Sequence, residues 1–99
     1  MTIDQAAVHR IAVVVNKRGL HARAAALVAR VAGQFKADVT VSTKSEQVST
    51  LSIMGMLMLG ANTGTTLQFD ANGSDAEDAA DALVRLVENG FEEDDFSES

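Results

Sequence analysis

Residues 16–26 read Asn-Lys-Arg-Gly-Leu-His-Ala-Arg-Ala-Ala-Ala, and this stretch says most about the fold and the function. A glycine turn leads into an alanine-rich segment of high helix propensity, so we predict a helix that begins at His21. A helix N-terminus presents backbone N–H groups without intrahelical acceptors, at the positive end of the helix dipole. We therefore expect an anion such as phosphate to bind beside His21 and Arg23.

The sequence Gly-Leu-His-Ala-Arg at residues 19–23 closely resembles the active-site motif of the HPr family. These are the histidine phosphocarriers of the phosphoenolpyruvate-dependent phosphotransferase system, and their motif reads Gly-[Leu/Ile/Met]-His-x-Arg-Pro-Ala. The resemblance implies that Nδ1 of His21 accepts a phosphoryl group. It also implies that the backbone N–H groups of Ala22 and Arg23, together with the Arg23 guanidinium, contact the phosphoryl oxygens.

The family proline is replaced by Ala24. Proline in a first helical turn preorganises the backbone at positions whose N–H group has no helical acceptor, whereas alanine restores that donor and keeps a high helix propensity. We expect this replacement to tune the transfer rate or the stability of the phosphoryl group and to leave the function in place.

Histidine suits phosphoryl relay because imidazole, with an ordinary pKa of about 6.5, supplies a neutral nucleophile near pH 7. An isolated histidine is more often a helix cap or a surface residue, but the surrounding motif favours a phosphate acceptor at His21. Arg23 has the alternative of an ordinary solvated helix residue. His9 lies in the first predicted strand, and we predict a structural or exposed residue there.

The 99 residues, 46% of them hydrophobic, predict a single domain that spans residues 1–99. We place its core at about residues 8–90 and predict an acidic, flexible tail at residues 91–99. The chain contains no cysteine, which excludes thiol catalysis and cysteine-based zinc sites and fits a reducing cytoplasm. No signal peptide and no run of about 20 apolar residues is present, so we expect a soluble cytoplasmic protein without membrane insertion.

Charge is distributed unevenly along the chain. Residues 1–69 carry 7 basic and 3 acidic side chains, a net charge of +4, whereas residues 70–99 carry 1 basic and 11 acidic side chains, a net charge of -10. Without a basic stripe or an aromatic stacking surface, nucleic acid is not an expected partner. A basic face that includes Lys17, Arg18, Arg23 and Arg30 fits an acidic protein instead.

The hydrophobic periodicity predicts elements in the order βαββαβα. The predicted strands are residues 8–15, 37–43, 46–50 and 65–71. The first helix begins at His21 and has an apolar stripe at residues 24, 27, 28, 31, 32 and 35. A short second helix lies within residues 51–59 with Ser52 as its N-cap, and the third helix spans residues 74–89 with Ser74 as its N-cap, a buried stripe at residues 76, 79, 80, 83 and 87, and Gly90 at its end.

This order, with one apolar face on every helix, predicts an α+β fold. We expect an open-faced β-sandwich in which a four-stranded antiparallel sheet carries three helices on one face. The HPr family has this architecture, and the resemblance covers about residues 8–90.

Ser52 has a second interpretation besides the N-cap. It aligns with the regulatory serine of HPr proteins that HPr kinase/phosphorylase modifies, where the family sequence reads Gly-Lys-Ser-Ile-Met-Gly. Here residues 50–55 read Thr-Leu-Ser-Ile-Met-Gly, so Leu51 replaces the lysine and recognition by that kinase stays open. Phosphorylation would add a charge of roughly -1.5 to -2 and would oppose an acidic partner.

The second predicted helix is apolar on two sides. Ile53, Met54 and Leu57 share one side and Met56 and Leu59 the other, so one set enters the core only if the other is exposed. Exposed methionine-rich surfaces are adaptable partner-binding sites, whereas the alternative is that all these residues belong to the core. The predicted partner-binding residues are Ile53, Met54, Leu57, Ala22, Ala26 and Arg30.

The resemblance implies a monomeric phosphocarrier without a cofactor, which enzyme I phosphorylates on His21 and an EIIA-type acceptor dephosphorylates. Residues 57–59 and 89–94 look more like the nitrogen-related branch (NPr-like) than the sugar branch. The alternative is a regulatory protein whose phosphorylation state controls binding to metabolic or stress-response enzymes. Two histidines, no cysteine and no catalytic carboxylate pair disfavour an enzyme or a metal protein.

Overall fold

Four antiparallel strands form the sheet of the computed structural model, which describes residues 7–92. Within these residues three α-helices lie on one face of the sheet, in the predicted order βαββαβα. The strands are β1 (Val8–Val13), β2 (Asp38–Ser42), β3 (Gln47–Ser49) and β4 (Thr66–Asn72). The helices are α1 (Ala22–Ala32), α2 (Ile53–Met58) and α3 (Ala76–Glu88), and a 3-10 turn (Gly90–Glu92) follows. The predicted open-faced sandwich is confirmed.

The strands are arranged β1-β4-β2-β3, so β1 and β3 are the edges of the sheet. In β1, Ala12 is buried beneath the helices, whereas His9 and Ile11 are exposed on the opposite face. In β4, Leu67 and Phe69 are buried in the same alternation. This period of two gives the sheet one covered face and one open face.

The core lies between the sheet and the three helices of the described part. The predicted stripe of α1 is buried at residues 24, 28 and 32, half-buried at residues 27, 31 and 35, and joined by the buried Ala25, which we did not predict. All five predicted positions of α3 are buried, together with Leu86. Burial of each large apolar side chain contributes roughly 1.5–3 kcal/mol.

The predicted N-cap of α3 is wrong. The helix begins at Ala76, and the residue at its N-cap is Asp75 rather than Ser74. The Asp75 carboxylate makes no capping hydrogen bond. It accepts hydrogen bonds from the N–H groups of Lys36 and Ala37, at 2.9 and 2.8 Å, and so ties the start of α3 to the loop after α1. The Lys36 backbone amide is the main reason why the pKa of Asp75 lies below its ordinary value of 3.8.

The end of the predicted core also needs correction. Phe91, which we assigned to the flexible tail, is 1% exposed and belongs to the core cluster. Gly90, at a φ of +67°, ends α3 as predicted and turns the chain so that Phe91 points inward. Residues 93–99 of the predicted tail lie outside the described residues.

Element boundaries differ from the predictions by a few residues. β1 ends at Val13 instead of residue 15, although the N–H group of Val14 still bonds to the Thr65 carbonyl just before β4. The predicted tight connection at residues 44–45 joins β2 to β3, closed by a 2.9 Å bond from Thr43 N–H to Glu46 O. Between residues 7 and 92, no helix has the length and apolar character needed to span a membrane.

Candidate functional site

The turn before α1 is fixed by the loop that precedes β4. The backbone N–H of Leu20 donates to the Ala61 carbonyl at 3.0 Å. Gly19 has a φ of +68°, and a β-carbon there would lie 2.4 Å from the Ala61 oxygen. Only glycine fits both the left-handed backbone and the close approach, so the glycine of the motif has a steric cause.

His21 stands at the N-cap of α1 with an extended backbone, at φ -88° and ψ -177°. Its N–H donates to the Gly19 carbonyl at 3.0 Å, and its own carbonyl accepts the first helical hydrogen bond, from Ala25 N–H at 2.8 Å. The imidazole is half-buried and makes no capping hydrogen bond to the helix. The side chain is therefore placed at the positive end of α1 by its backbone.

The first turn of α1 carries the predicted phosphate-binding groups. Because the first helical donor is Ala25 N–H, the N–H groups of Ala22, Arg23 and Ala24 precede the i to i-4 ladder. Ala22 and Arg23 are exposed, whereas Ala24 is fully buried. Since the Ala24 N–H precedes the first helical bond, the family proline would remove no helical hydrogen bond at position 24. This geometry suits an anion beside His21.

Positive charge lies in the turn before α1 and along the helix, from Arg23 in its first turn to Arg30 in its last. Arg23 and Arg30, with Ala26 and Leu27 between them, line a shallow open depression on α1. Lys17 and Arg18 are exposed in the turn before the helix. In the part of the chain that the structure describes, no carboxylate forms an ion pair with any of these four basic residues. Their charge is available to an anionic ligand or an acidic protein.

Helix α2 packs against α1 and exposes most of its apolar side chains. Met56 is fully buried, whereas Ile53, Met54 and Leu57 are 41%, 67% and 36% exposed. The alternative in which all these residues belong to the core is therefore wrong. We call the exposed set the α1/α2 surface; it contains Ile53, Met54 and Leu57 from α2 and the exposed Ala22, Ala26 and Arg30 from α1.

Two further exposed apolar residues border the α1/α2 surface and were absent from our prediction. Leu51 is 63% exposed and Met58 is 71% exposed. Met58 lies one helical turn after Met54, so the i, i+4 spacing that linked the predicted residues could also have identified it. Met58 was missed because the prediction placed only three residues on the exposed side of α2.

The predicted N-cap of α2 is confirmed. The Ser52 hydroxyl accepts a hydrogen bond from Gly55 N–H at 3.0 Å, and Ser52 is half-buried. A β-carbon on Gly55 would lie 2.9 Å from Ser52 Oγ and 3.1 Å from Val48 Cβ. The glycine therefore leaves room for the cap.

His9 lies away from the predicted site, on the open face of the sheet. It is exposed, as predicted, and its Nδ1 bonds to Asp70 on the neighbouring strand β4. Burial is the largest influence on Asp70 and raises its pKa, but hydrogen bonds from His9 and Gln68 outweigh it and hold the pKa below 3.8. Among residues 7–92, no three His, Cys, Asp or Glu side chains are grouped to bind a metal ion.

Asn16 belongs to the turn before His21, and the sequence alone did not single it out. Its side chain is 1% exposed, and its Nδ2 donates to the Gly19 carbonyl at 3.0 Å. The Asn16 carbonyl accepts hydrogen bonds from Gly19 N–H and from the Thr63 hydroxyl. A polar residue directly after a β-branched run was the available signal, since such a position is where a buried turn anchor stands.

Residues 8–89 match the family model described as PTS HPr component phosphorylation site. The chain belongs to the HPr family. It is 44% identical over 80 residues to phosphocarrier protein HPr of Cupriavidus necator, covering 81% of this chain and 90% of that protein. It is 41% identical over 78 residues to phosphocarrier protein NPr of Shewanella violacea, covering 79% of this chain and 86% of that protein.

Solved structures agree with this assignment. The HPr crystal structure from Bacillus anthracis superimposes with a TM-score of 0.80 at 38% identity, covering 84% of this chain and 99% of that chain. The structure of HPr-C-His from Thermoanaerobacter tengcongensis gives 0.82 at 38% identity, covering 88% and 98%. The chain is thus a phosphocarrier of the phosphotransferase system and not a catalytic enzyme, and it interacts with proteins of that system.

Proposed function

We propose that His21 accepts a phosphoryl group from phosphorylated enzyme I and passes it to an EIIA-type acceptor. The observation that carries this proposal is the position of His21 at the N-cap of α1. His21 directly precedes Ala22 and Arg23, whose N–H groups come before the first i to i-4 hydrogen bond, at the positive end of the helix.

In the proposed step, the lone pair of Nδ1 of His21 attacks the phosphorus atom. A nitrogen–phosphorus bond forms as the bond between phosphorus and its donor group on enzyme I breaks, and the donor group keeps that electron pair. Onward transfer reverses the roles, with the acceptor as nucleophile and the imidazole as leaving group. The N–H groups of Ala22 and Arg23 and the Arg23 guanidinium balance the charge on the phosphoryl oxygens in both steps.

The α1/α2 surface is the proposed docking site for enzyme I and for the EIIA-type acceptor. It combines exposed apolar side chains on α2 with the basic Arg30 on α1, and Arg23 lines the same depression on α1 as Arg30. Such a surface fits a partner with an apolar patch and an acidic rim. We propose that the protein acts as a monomer, because the relay requires this surface to be open to two successive partners. We also propose that it works in the cytoplasm, since a chain without cysteine fits a reducing compartment.

Ser52 is a proposed regulatory phosphorylation site. Its hydroxyl already serves as the N-cap acceptor, so a phosphoryl group there would lie at the N-terminus of α2, next to the α1/α2 surface. The added negative charge would repel an acidic partner. Leu51 at the position of the family lysine leaves HPr kinase/phosphorylase as a candidate enzyme to be tested directly.

Intact-mass measurement tests the relay. Wild type, His21→Ala and His9→Ala are each mixed with phosphoenolpyruvate, Mg²⁺ and enzyme I. We expect one acid-labile phosphoryl group on wild type and on His9→Ala, and none on His21→Ala. His9 is the matched control because it is the other histidine of the chain and lies on the open face of the sheet. Labelling of His21→Ala, or an unlabelled wild type, would contradict the proposal.

A second candidate function is regulation by docking on a metabolic or stress-response enzyme. The exposure of Ile53, Met54 and Leu57 favours it, since these side chains can bind a partner without phosphoryl transfer. Under this function, His21→Ala keeps binding to the regulated enzyme, whereas Met54→Glu loses it.

A separate experiment tests whether the protein serves the sugar branch or the nitrogen-related branch of the system. The phosphorylated protein is offered to EIIA-type acceptors of both branches, and we expect faster transfer to the nitrogen-related acceptor.

A further inference from the structure

We infer that Asn16 is a positioning residue for His21 and holds the backbone that presents the imidazole. The inference rests on the proposed role of His21 as phosphoryl acceptor. Asn16 lies five residues before His21 in the chain, and its amide and the His21 backbone meet at one atom, the carbonyl oxygen of Gly19.

The Gly19 carbonyl receives two hydrogen bonds. One comes from Asn16 Nδ2 and the other from His21 N–H, each at 3.0 Å. The direction of this carbonyl therefore sets the position of the His21 amide at the start of α1. The same peptide plane carries the Leu20 N–H, which donates to the Ala61 carbonyl. Without the Asn16 donor, the bonds of Leu20 and His21 alone would hold this plane, and the peptide that leads into His21 would be less firmly oriented.

Asn16 is itself anchored to the rest of the fold. Its backbone carbonyl accepts a hydrogen bond from the Thr63 hydroxyl in the loop before β4. Its β-carbon lies 3.6 Å from the point where a β-carbon on Gly90 would stand, at the end of α3. Because Asn16 is 1% exposed and its backbone is bonded to the loop before β4, its side chain presents Nδ2 to Gly19 from a packed position.

Burial of the Asn16 amide costs desolvation free energy, and packing alone does not explain why an amide stands at this position. Within residues 7–92, Asn16 and Thr50 are the two buried polar or charged residues. Thr50 donates to the carbonyl of Val39 in β2 and not to the turn that leads into His21. An apolar residue would fill the Asn16 position without desolvating an amide, so the bond to Gly19 is the reason we assign to it.

Asn16→Ala tests the positioning role, and Thr50→Val is its matched control. Each substitution removes one side-chain donor to a backbone carbonyl from a buried place. We measure the maximal rate of phosphoryl transfer from enzyme I, the KM for the carrier, thermal stability and the imidazole ¹H–¹⁵N signals of His21. If Asn16→Ala fails to fold, Asn16→Ser replaces it. The serine Oγ lies one bond short of the Nδ2 position, so the variant keeps a polar side chain that is too short to make the same bond to Gly19.

We expect Asn16→Ala to lower the maximal transfer rate about tenfold, with KM unchanged within about twofold and shifted His21 imidazole signals. Thr50→Val should lose a comparable amount of thermal stability and keep both the rate and the imidazole signals. A wild-type rate in the Asn16 variant, or an equal loss of rate in Thr50→Val, would overturn the positioning role and leave the relay intact. A wild type that is never labelled on His21 would overturn both.

Discussion

The carbonyl oxygen of Ala61 lies 2.4 Å from the point where a β-carbon on Gly19 would stand. The same oxygen accepts the N–H of Leu20, so the approach of the two loops is both close and bonded. The turn that presents His21 is therefore part of the folded framework and not a free loop.

Gly19→Ala is expected to destabilise the protein strongly. A left-handed backbone costs a β-carbon residue about 1–2 kcal/mol, and displacing the Ala61 carbonyl raises the total loss above about 2 kcal/mol. Gly60→Ala is the matched control: its φ is +66° but no atom lies within 4 Å of the added carbon. Urea unfolding measures both variants. Equal losses would show that the contact with Ala61 adds nothing to the backbone strain.

Asp75 makes stability depend on acid pH. Because the Lys36 backbone amide holds its folded-state pKa below 3.8, the ionised carboxylate favours the folded protein. This contribution is complete above the ordinary pKa and is lost as the pH falls through the folded value. We expect Asp75→Asn to lower Tm at pH 7 and to reduce the difference in Tm between pH 7 and pH 3.

Asp78→Asn is the control for that measurement. It removes the same charge from the first turn of α3, at a side chain with no hydrogen bond to the residues described. Its Tm should therefore fall less than that of Asp75→Asn at pH 7. If both variants showed the same pH profile, the bonds from Asp75 to Lys36 and Ala37 would carry no special stability.

Phe91→Ala should destabilise the fold by about 3–5 kcal/mol, the usual cost of removing a large buried aromatic side chain. Phe91 is 1% exposed, although it lies beyond the last helix. Ile11→Ala, at a 63% exposed position on the open sheet face, should change the free energy of unfolding by less than about 0.5 kcal/mol. A similarly small change in the free energy of unfolding of Phe91→Ala would show that Phe91 belongs to the tail and not to the core.

Met54→Glu is expected to weaken docking without weakening the fold. Met54 is 67% exposed on α2, so a glutamate there loses little burial but places a negative charge on the α1/α2 surface. We expect KM for enzyme I to rise by about tenfold or more, with Tm unchanged. Ile11→Glu, 63% exposed on the other side of the sheet, should leave KM unchanged. An equal rise in both variants would point to a general charge effect.

Arg23→Gln should slow phosphoryl transfer by about tenfold, because a charge-assisted contact to the phosphoryl oxygens is lost. The exposed Arg85 on α3 provides a control, since Arg85→Gln removes the same charge elsewhere. Both rates are measured at low and high salt. If Arg85→Gln slowed the reaction equally, net charge rather than the position of Arg23 would explain the effect.

Local patterns predicted the element order, the apolar helix faces and the Ser52 cap. The cap could be predicted because its partner, Gly55, lies three residues away. The features that were missed depend on distant partners: Asp75 bonds to an amide 39 residues earlier, and Asn16 is held by a hydroxyl 47 residues later. Phe91 was missed because the acidic residues that follow it in the chain resemble a solvated tail. The spacing of residues within one helix or strand indicates which of its side chains are buried, but it does not reveal which other segment of the chain packs against them.

Of the six residues of α2, Ile53–Met58, only Met56 is fully buried, and Gly55 is restricted by its contacts with Ser52 and Val48. Most of the remaining side chains can change without altering the core or the turn that holds His21. After gene duplication, one copy could thus change its binding partners through a few substitutions in this one short helix. Its inherited chemistry would persist, because the residues that shape the turn at Gly19 belong to other parts of the chain.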